Sequence, residues 1–319
     1  MTLYPEIEPY STHILQVSDL HTIYVEESGN PDGIPVIRCH GGPGSPSGAK
    51  PWFRQTYDPK VWRIILFAQR WCGQSTPLGE MQENTTDLLV EDIETIRDYL
   101  NIEQWVVAGA SRWTTLALVY AQQYPERVLW LLLNSICLFT HDEIARILDG
   151  WAQDFFPQER HELMSYLPDD LDMPVHEYLC QYFVHNDTYD EQLVKAVAVW
   201  LWTAIKHLNK QLNKDVVVSE RLLASLKIFF HYVAHDGFLH DNQILKNIDK
   251  IRHIPCIMLH GRYDIECVPK VARELAQARP EATFELIEWA GHRTSDPALQ
   301  KRVVERGDLL AKNFSKKYC

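Results

Sequence analysis

The chain has 319 residues, a formal net charge of −12, 46% hydrophobic residues and 23% charged residues, which suits one large globular unit or a core with an inserted lobe. The acidic balance argues against a nucleic-acid partner, because no broad basic face is left to neutralise phosphates, and against an anionic membrane surface. The longest apolar stretches, such as VLWLLLNSICLF, fall short of the ~20 residues that span a bilayer.

The first residues, MTLYPEIEPYSTHILQV, lack a basic stretch followed by an apolar run, so no secretory signal is expected. THILQV and HTIYVEE then alternate as a strand pair around the turn-prone Ser18-Asp19. From residue 34 the rhythm changes. IPVIRCH, RIILFAQ, WVVAGA and VLWLLLNS are short runs rich in Val, Ile and Leu, as strands buried on both faces should be. Between the second and third lies TTDLLVEDIETIRDYLN, whose Leu89, Ile93, Ile96 and Leu100 recur at helical steps. Strand, helix and strand in that order imply a parallel sheet with right-handed crossovers.

The segment from 138 to 235 offers few strand signals and reads as several helices. Strand patterns return in IPCIMLHGR and ATFELIEWAG, with a helical VARELAQA between them. The expected architecture is an α/β core, built from 1–137 and 236–319, with a helical cap of 138–235 inserted. Such a cap covers a site at the C-terminal edge of the sheet. Cysteines at 39, 72, 137, 180, 256, 267 and 319 show no CxxC pair and no metal-ligand spacing. Their odd number and scatter suit reduced thiols in a cytoplasm. No cofactor or metal is expected.

Ser111 stands between the strand WVVAGA and a helical RWTTLALVYAQQ. A serine on a sharp strand-to-helix turn projects its hydroxyl clear of the backbone, with a helix N-terminus behind it for developing negative charge. By itself it could equally cap the helix. Asp264 closes CIMLHGRYD, and His292 sits in the loop after FELIEWAG. Each alone reads as an ordinary turn or surface residue. Together, in the order Ser, Asp, His and each at a strand end, they match an α/β-hydrolase nucleophile, acid and base. The glycine-rich His40-Gly41-Gly42-Pro43-Gly44 follows another strand. In a hydrolase, the amides of Gly42 and Arg112 would form the oxyanion hole.

HGGPGSP, LFAQRWCGQSTP, ENTT, TTLALVYAQQYPERV and LHGRYDIECVP resemble the proline iminopeptidase family of α/β hydrolases over nearly the whole chain. The resemblance implies metal-free release of N-terminal proline, through an acyl-enzyme, by a Ser111, Asp264 and His292 triad. Departures cluster around one pocket. The family reads Asp-Gln-Arg-Gly where this chain has Ala68-Gln69-Arg70-Trp71, and Gly-Gly-Ser-Trp-Gly where it has Gly109-Ala110-Ser111-Arg112-Trp113. Arg293 replaces a small residue after the histidine, and Thr203 and Phe229 stand at cap positions where the family binds the substrate amine with glutamates.

A desolvated cationic amine without a carboxylate partner loses about 3–5 kcal/mol. Trp71, Trp113, Trp202, Thr203, Phe229 and Arg293 are therefore expected to line an altered substrate pocket with weakened proline specificity, as in an engineered variant of the scaffold. The alternative is an engineered or non-hydrolytic derivative of that scaffold that binds or converts an apolar or aromatic small molecule.

Other groups carry less. Lys206, beside His207, could be a Schiff-base lysine or simply a solvated one. Trp200, Trp202, Phe229, Phe230 and Tyr232 could face a ligand or form the cap's own core. Asp169, Asp170 and Asp172 fit a surface turn. The expected partner is a small peptide or small-molecule substrate; the sequence leaves oligomeric state open.

Overall fold

The computed structural model of the chain describes residues 3–44, 49–149, 151–204 and 215–317. Eight strands form one sheet in the order β1-β2-β4-β3-β5-β6-β7-β8. The first two, β1 (Ser11–Gln16) and β2 (Thr22–Gly29), pair antiparallel, and β2 pairs antiparallel with β4 (Trp62–Phe67). From there the sheet is parallel: β4 with β3 (Ile34–Cys39), then β5 (Trp105–Ser111), β6 (Val128–Ile136), β7 (Cys256–Gly261) and β8 (Thr283–Ile287). The edge strand β1 alternates in burial, whereas all six residues of β7, flanked by β6 and β8, are buried. That contrast follows from helices covering both faces of the parallel part.

Helix α1 (Thr86–Tyr99) starts where Thr85 Oγ1 accepts from Leu88 N, closing one of the orphan amides of the first turn. Its Leu89, Ile93 and Ile96 are buried, together with Leu100 just beyond its end, against the face of the sheet shared with α2 (Arg112–Gln123). The opposite face packs on α10 (Pro297–Lys317) through Leu299, Val303 and Leu310. Arg70 lies in the loop after β4 and forks onto Asp92 of α1, with Nε–Oδ2 and Nη2–Oδ1 both at 2.7 Å and both side chains buried.

Between β6 and β7 the chain forms only helices and turns among the described residues. Helices α3 (His141–Asp149), α4 (Pro157–Met164), α5 (Val175–His185), α6 (Glu191–Ala204) and α7 (Glu220–Ala234) make the cap, and the single-turn α8 (Gln243–Lys246) leads back to the sheet. The cap has its own aromatic core. Phe183 stacks on Phe230 at 4.8 Å, and Trp200 donates its indole N–H to Ile147 O at 2.8 Å. Asp169, Asp170 and Asp172 are exposed in the α4–α5 connection. Lys206 and His207 lie outside the described residues. Helix α9 (Pro269–Ala278) joins β7 to β8.

Docking of α7 ties cap to core. Tyr232 donates to Asn84 Oδ1 at 2.7 Å, His231 Nε2 bonds Asn84 O at 2.9 Å, and Ser225 Oγ donates to Gly44 O. The last helix of the cap thus rests on both the start of α1 and the glycine-rich loop after β3.

Candidate active site

The C-terminal ends of β5, β7 and β8 meet at one edge of the sheet. Ser111 ends β5 with φ 60° and ψ −143°, a conformation that costs a non-glycine residue about 1–3 kcal/mol and persists only when its surroundings impose it. The imposition comes from both sides. Behind the serine, the helix packs so close to the strand that a Cβ on Gly109 would lie 2.9 Å from Trp113 O. In front, Gly41 passes over the turn, where a Cβ would meet Ser111 Cβ at 3.1 Å. His40 shapes that passing loop: it is buried, its Nδ1 bonds Gly41 O at 3.1 Å, and its Nε2 accepts from Gln69 N at 3.4 Å. Burial pushes its imidazole down to about 3, so it is a neutral structural group.

Asp264 and His292 are brought together by another close approach. A Cβ on Gly261, at the end of β7, would lie 2.2 Å from Gly291 O and 2.5 Å from Ala290 O, so only glycine lets the β7 and β8 ends touch. Asp264 Oδ1 accepts from Cys267 N at 2.9 Å. The buried His260 Nδ1 accepts from Ile136 N at 2.9 Å, and its Nε2 bonds Cys267 O at 2.7 Å, which ties the acid loop to β6. Ser135 Oγ donates to His292 O at 2.7 Å and fixes the other loop.

His292 Nδ1 donates to Asp264 Oδ2 at 2.9 Å, and Nε2 lies 2.9 Å from Ser111 Oγ. This relay leaves the neutral imidazole with Nε2 as an acceptor facing the hydroxyl. Burial alone would depress the His292 pKa, but Asp264 and then Glu266 outweigh it and push it up to about 10.

The remaining expected residues occupy several environments. Trp113 is buried and packs edge-on against Phe67 at 5.2 Å, and Trp71 is likewise buried in the main core with φ 68°. A positive φ at residue 71 gives the physical reason for glycine there in the resembling family: Trp71 carries the strain that glycine would not. The Arg112 side chain leads toward the cap, with its guanidinium 3.6 Å over Phe139, 4.7 Å over Tyr232 and 3.0 Å from Thr86 Oγ1. Thr203 is buried and donates its hydroxyl to Val199 O at 2.8 Å. Phe229 meets Phe230 edge-on, and Trp202 is half-buried against the same core. Arg293 follows His292 and is half-buried. Neither Trp113 nor Arg112 comes between Ser111 Oγ and His292 Nε2.

The sequence reading missed two features. Glu266, two residues after the acid, places Oε2 3.0 Å from His292 Nε2; a lone acidic residue in a loop gave no signal for that. Cys137, Glu143 and Cys267 also converge, with potential donor atoms within 4.8 Å of one another. Glu143 is already engaged, however, accepting from Leu138 N, Thr140 N and Thr140 Oγ1 at the start of α3, which is a helix-capping role.

Residues 34–164 match the α/β hydrolase fold family. The chain is 39% identical over 309 residues to a protein of Leptolyngbya boryana named probable proline iminopeptidase, covering 96% of each. It is 37% identical over 316 residues to the proline iminopeptidase of Arabidopsis thaliana, covering 97% of this chain and 82% of that one, and 38% identical over 309 residues to that of Neisseria meningitidis serogroup B, covering 95% and 97%. The chain belongs to the proline iminopeptidase family. It is therefore a serine hydrolase by family, and nothing in the likeness marks it as engineered. The proline iminopeptidase framework runs through core and cap alike. Among solved structures, a bromoperoxidase from Bacillus anthracis (TM-score 0.58, 16% identity, 95% and 100% of the two chains) and an α/β hydrolase, MGS-M2, from a Medee basin deep-sea metagenome library (TM-score 0.59, 18% identity, 92% and 95%) share the fold.

Proposed function

We propose that this proline iminopeptidase relative hydrolyses small amides or esters through an acyl-enzyme on Ser111. Ser111 Oγ attacks the scissile carbonyl carbon while His292 Nε2 takes the hydroxyl proton. Asp264 holds the imidazole by its Nδ1–H and offsets the charge it gains. The amides of Gly42 and Arg112 receive the oxyanion. His292 then gives its proton to the leaving amine or alcohol as the carbonyl re-forms, and a water activated by the same imidazole releases the acyl group and restores Ser111. The observation that carries this reading is the relay of 2.9 Å contacts from Ser111 Oγ through His292 to Asp264. Support also comes from where Arg112 and Trp113 go: toward Thr86 and Phe67, leaving the hydroxyl and imidazole in contact.

Under the same proposal residues 138–235 are the cap, and Trp71, Trp113, Trp202, Thr203, Phe229 and Arg293 shape the walls of the substrate pocket from within or behind. Thr203 and Phe229 bring no carboxylate to the substrate amine, and the Thr203 hydroxyl is spent on Val199 O. Loss of such a partner costs about 3–5 kcal/mol, or roughly two to four powers of ten in binding. Release of proline from Pro-p-nitroanilide is accordingly weak. Measured beside the Neisseria meningitidis relative, kcat/KM should fall lower by about that factor. Equal efficiency would refute the weakened specificity. A cytoplasmic, reducing location suits the buried thiols of Cys72, Cys137, Cys180, Cys256 and Cys267, none of which is in a disulfide.

A further inference from the structure

His292 Nε2 has two oxygens beside it. Ser111 Oγ, at 2.9 Å, makes a hydrogen bond with it. Glu266 Oε2, at 3.0 Å, is sealed from solvent and makes no hydrogen bond; it lies beside the ring nitrogen as a charge rather than in line as an acceptor. A carboxylate there repels the lone pair of a neutral imidazole and attracts an imidazolium. The base of the hydrolytic reading therefore has one carboxylate on each ring nitrogen, and the one at Nε2 favours the form that cannot accept the Ser111 proton.

We propose that Glu266 is a positioning residue of the base, holding His292 as the imidazolium so that Ser111 is activated only when alkaline pH strips the Nε2 proton. The inference rests on the hydrolytic reading of Ser111 and His292.

The neighbouring titratable groups come from three sides. From the β7 side, Asp264 is the other carboxylate on the ring, and His260 lies 3.6 Å from Asp264 Oδ2 with its own imidazole pushed down by burial. Cys267 on the same loop has its thiol pushed well up, first by a hydrogen bond with Cys137 and then by burial, so the Cys267 thiol brings no charge that would displace Glu266. Burial and then Asp264 push the Glu266 carboxyl up, while His292 and, from the β8 side, Arg293 pull against that rise. From the loop after β3, the half-buried Lys50 is pushed down by desolvation and by Arg293.

The test compares the wild type with Glu266→Gln, which keeps the shape, and Glu266→Asp, which keeps the charge. The rate of fluorophosphonate modification of Ser111 is measured against pH, and the His292 ring is titrated by NMR in 15N-histidine-labelled protein. The wild-type rate should rise along an alkaline limb. In Glu266→Gln the limb should move at least one pH unit lower, giving about tenfold faster modification at a pH on the wild-type limb, and the His292 midpoint should fall in parallel. Glu266→Asp should retain an alkaline limb. Coincident limbs and midpoints in wild type and Glu266→Gln would overturn the inference. Should Ser111 fail to react at any pH, the hydrolytic reading falls, and the ring titration decides this one alone: a lowered His292 midpoint upholds it and an unmoved one overturns it.

Discussion

At the scale of single residues, the site depends on a strained serine and the glycine beside it. Ser111 holds φ 60° because Gly41 and the strand–helix packing at Gly109 leave it no relaxed alternative. Replacing Ser111 by Ala keeps that backbone and removes the hydroxyl, so covalent modification should vanish while urea stability stays within ~1 kcal/mol of wild type; modification that persists in Ser111→Ala would place the nucleophile elsewhere. The positions 111, 264 and 292 were legible in the sequence because chain order and strand-end placement are properties of the string. Glu266 was not, since its meaning lies in a 3.0 Å contact across the β7 and β8 loops. Trp113 is expected from the sequence to line the pocket. Its ring packs against Phe67, a direction that sequence spacing does not specify.

At the scale of elements, two junctions hold the strand ends in place. Gly261 lets β7 and the loop after β8 cross, and a Cβ there would enter 2.2 Å from Gly291 O. Gly261→Ala should therefore force Asp264 and His292 apart, lowering stability by about 1–3 kcal/mol and slowing Ser111 modification more than any loss of folded protein explains. Chemical denaturation and labelling of the same sample check both parts. The Arg70–Asp92 pair joins the loop after β4 to α1 with both charges out of water. Asp92→Asn leaves the guanidinium without its counter-charge and should cost about 3–5 kcal/mol, read from the shift in urea midpoint; a loss below 1 kcal/mol would show that the pair is not what fixes that loop. Short Val-, Ile- and Leu-rich runs foretold the parallel strands, and the helical period of Leu89, Ile93 and Ile96 foretold α1. Glycine contacts such as Gly261 with Gly291 were hidden because they join residues 30 apart in sequence through backbone atoms alone.

At the scale of the molecule, a helical cap sits on an eight-stranded sheet and is pinned by α7 to Asn84 and Gly44. Composition and the strand-poor segment from 138 to 235 disclosed the cap's existence; how it docks depends on side chains that no periodicity reveals. The site also leaves a mark on global stability. His292 has its pKa raised to about 10 in the folded chain against about 6.5 when unfolded, so the folded state binds the proton more tightly across that interval. The stabilisation is complete below pH ~6.5 and is lost as pH rises toward 10. Stability of the wild type should therefore fall more steeply between pH 7 and 10 than that of His292→Gln, and parallel curves would contradict a raised His292.

The central claim is that the Ser111 hydroxyl is an activated nucleophile. Folded protein treated with a fluorophosphonate and mapped by peptide mass should carry one adduct, on Ser111, formed slowly in His292→Ala and absent in Ser111→Ala. A folded chain that takes no adduct between neutral and strongly alkaline pH, or takes it on another residue, would contradict the account.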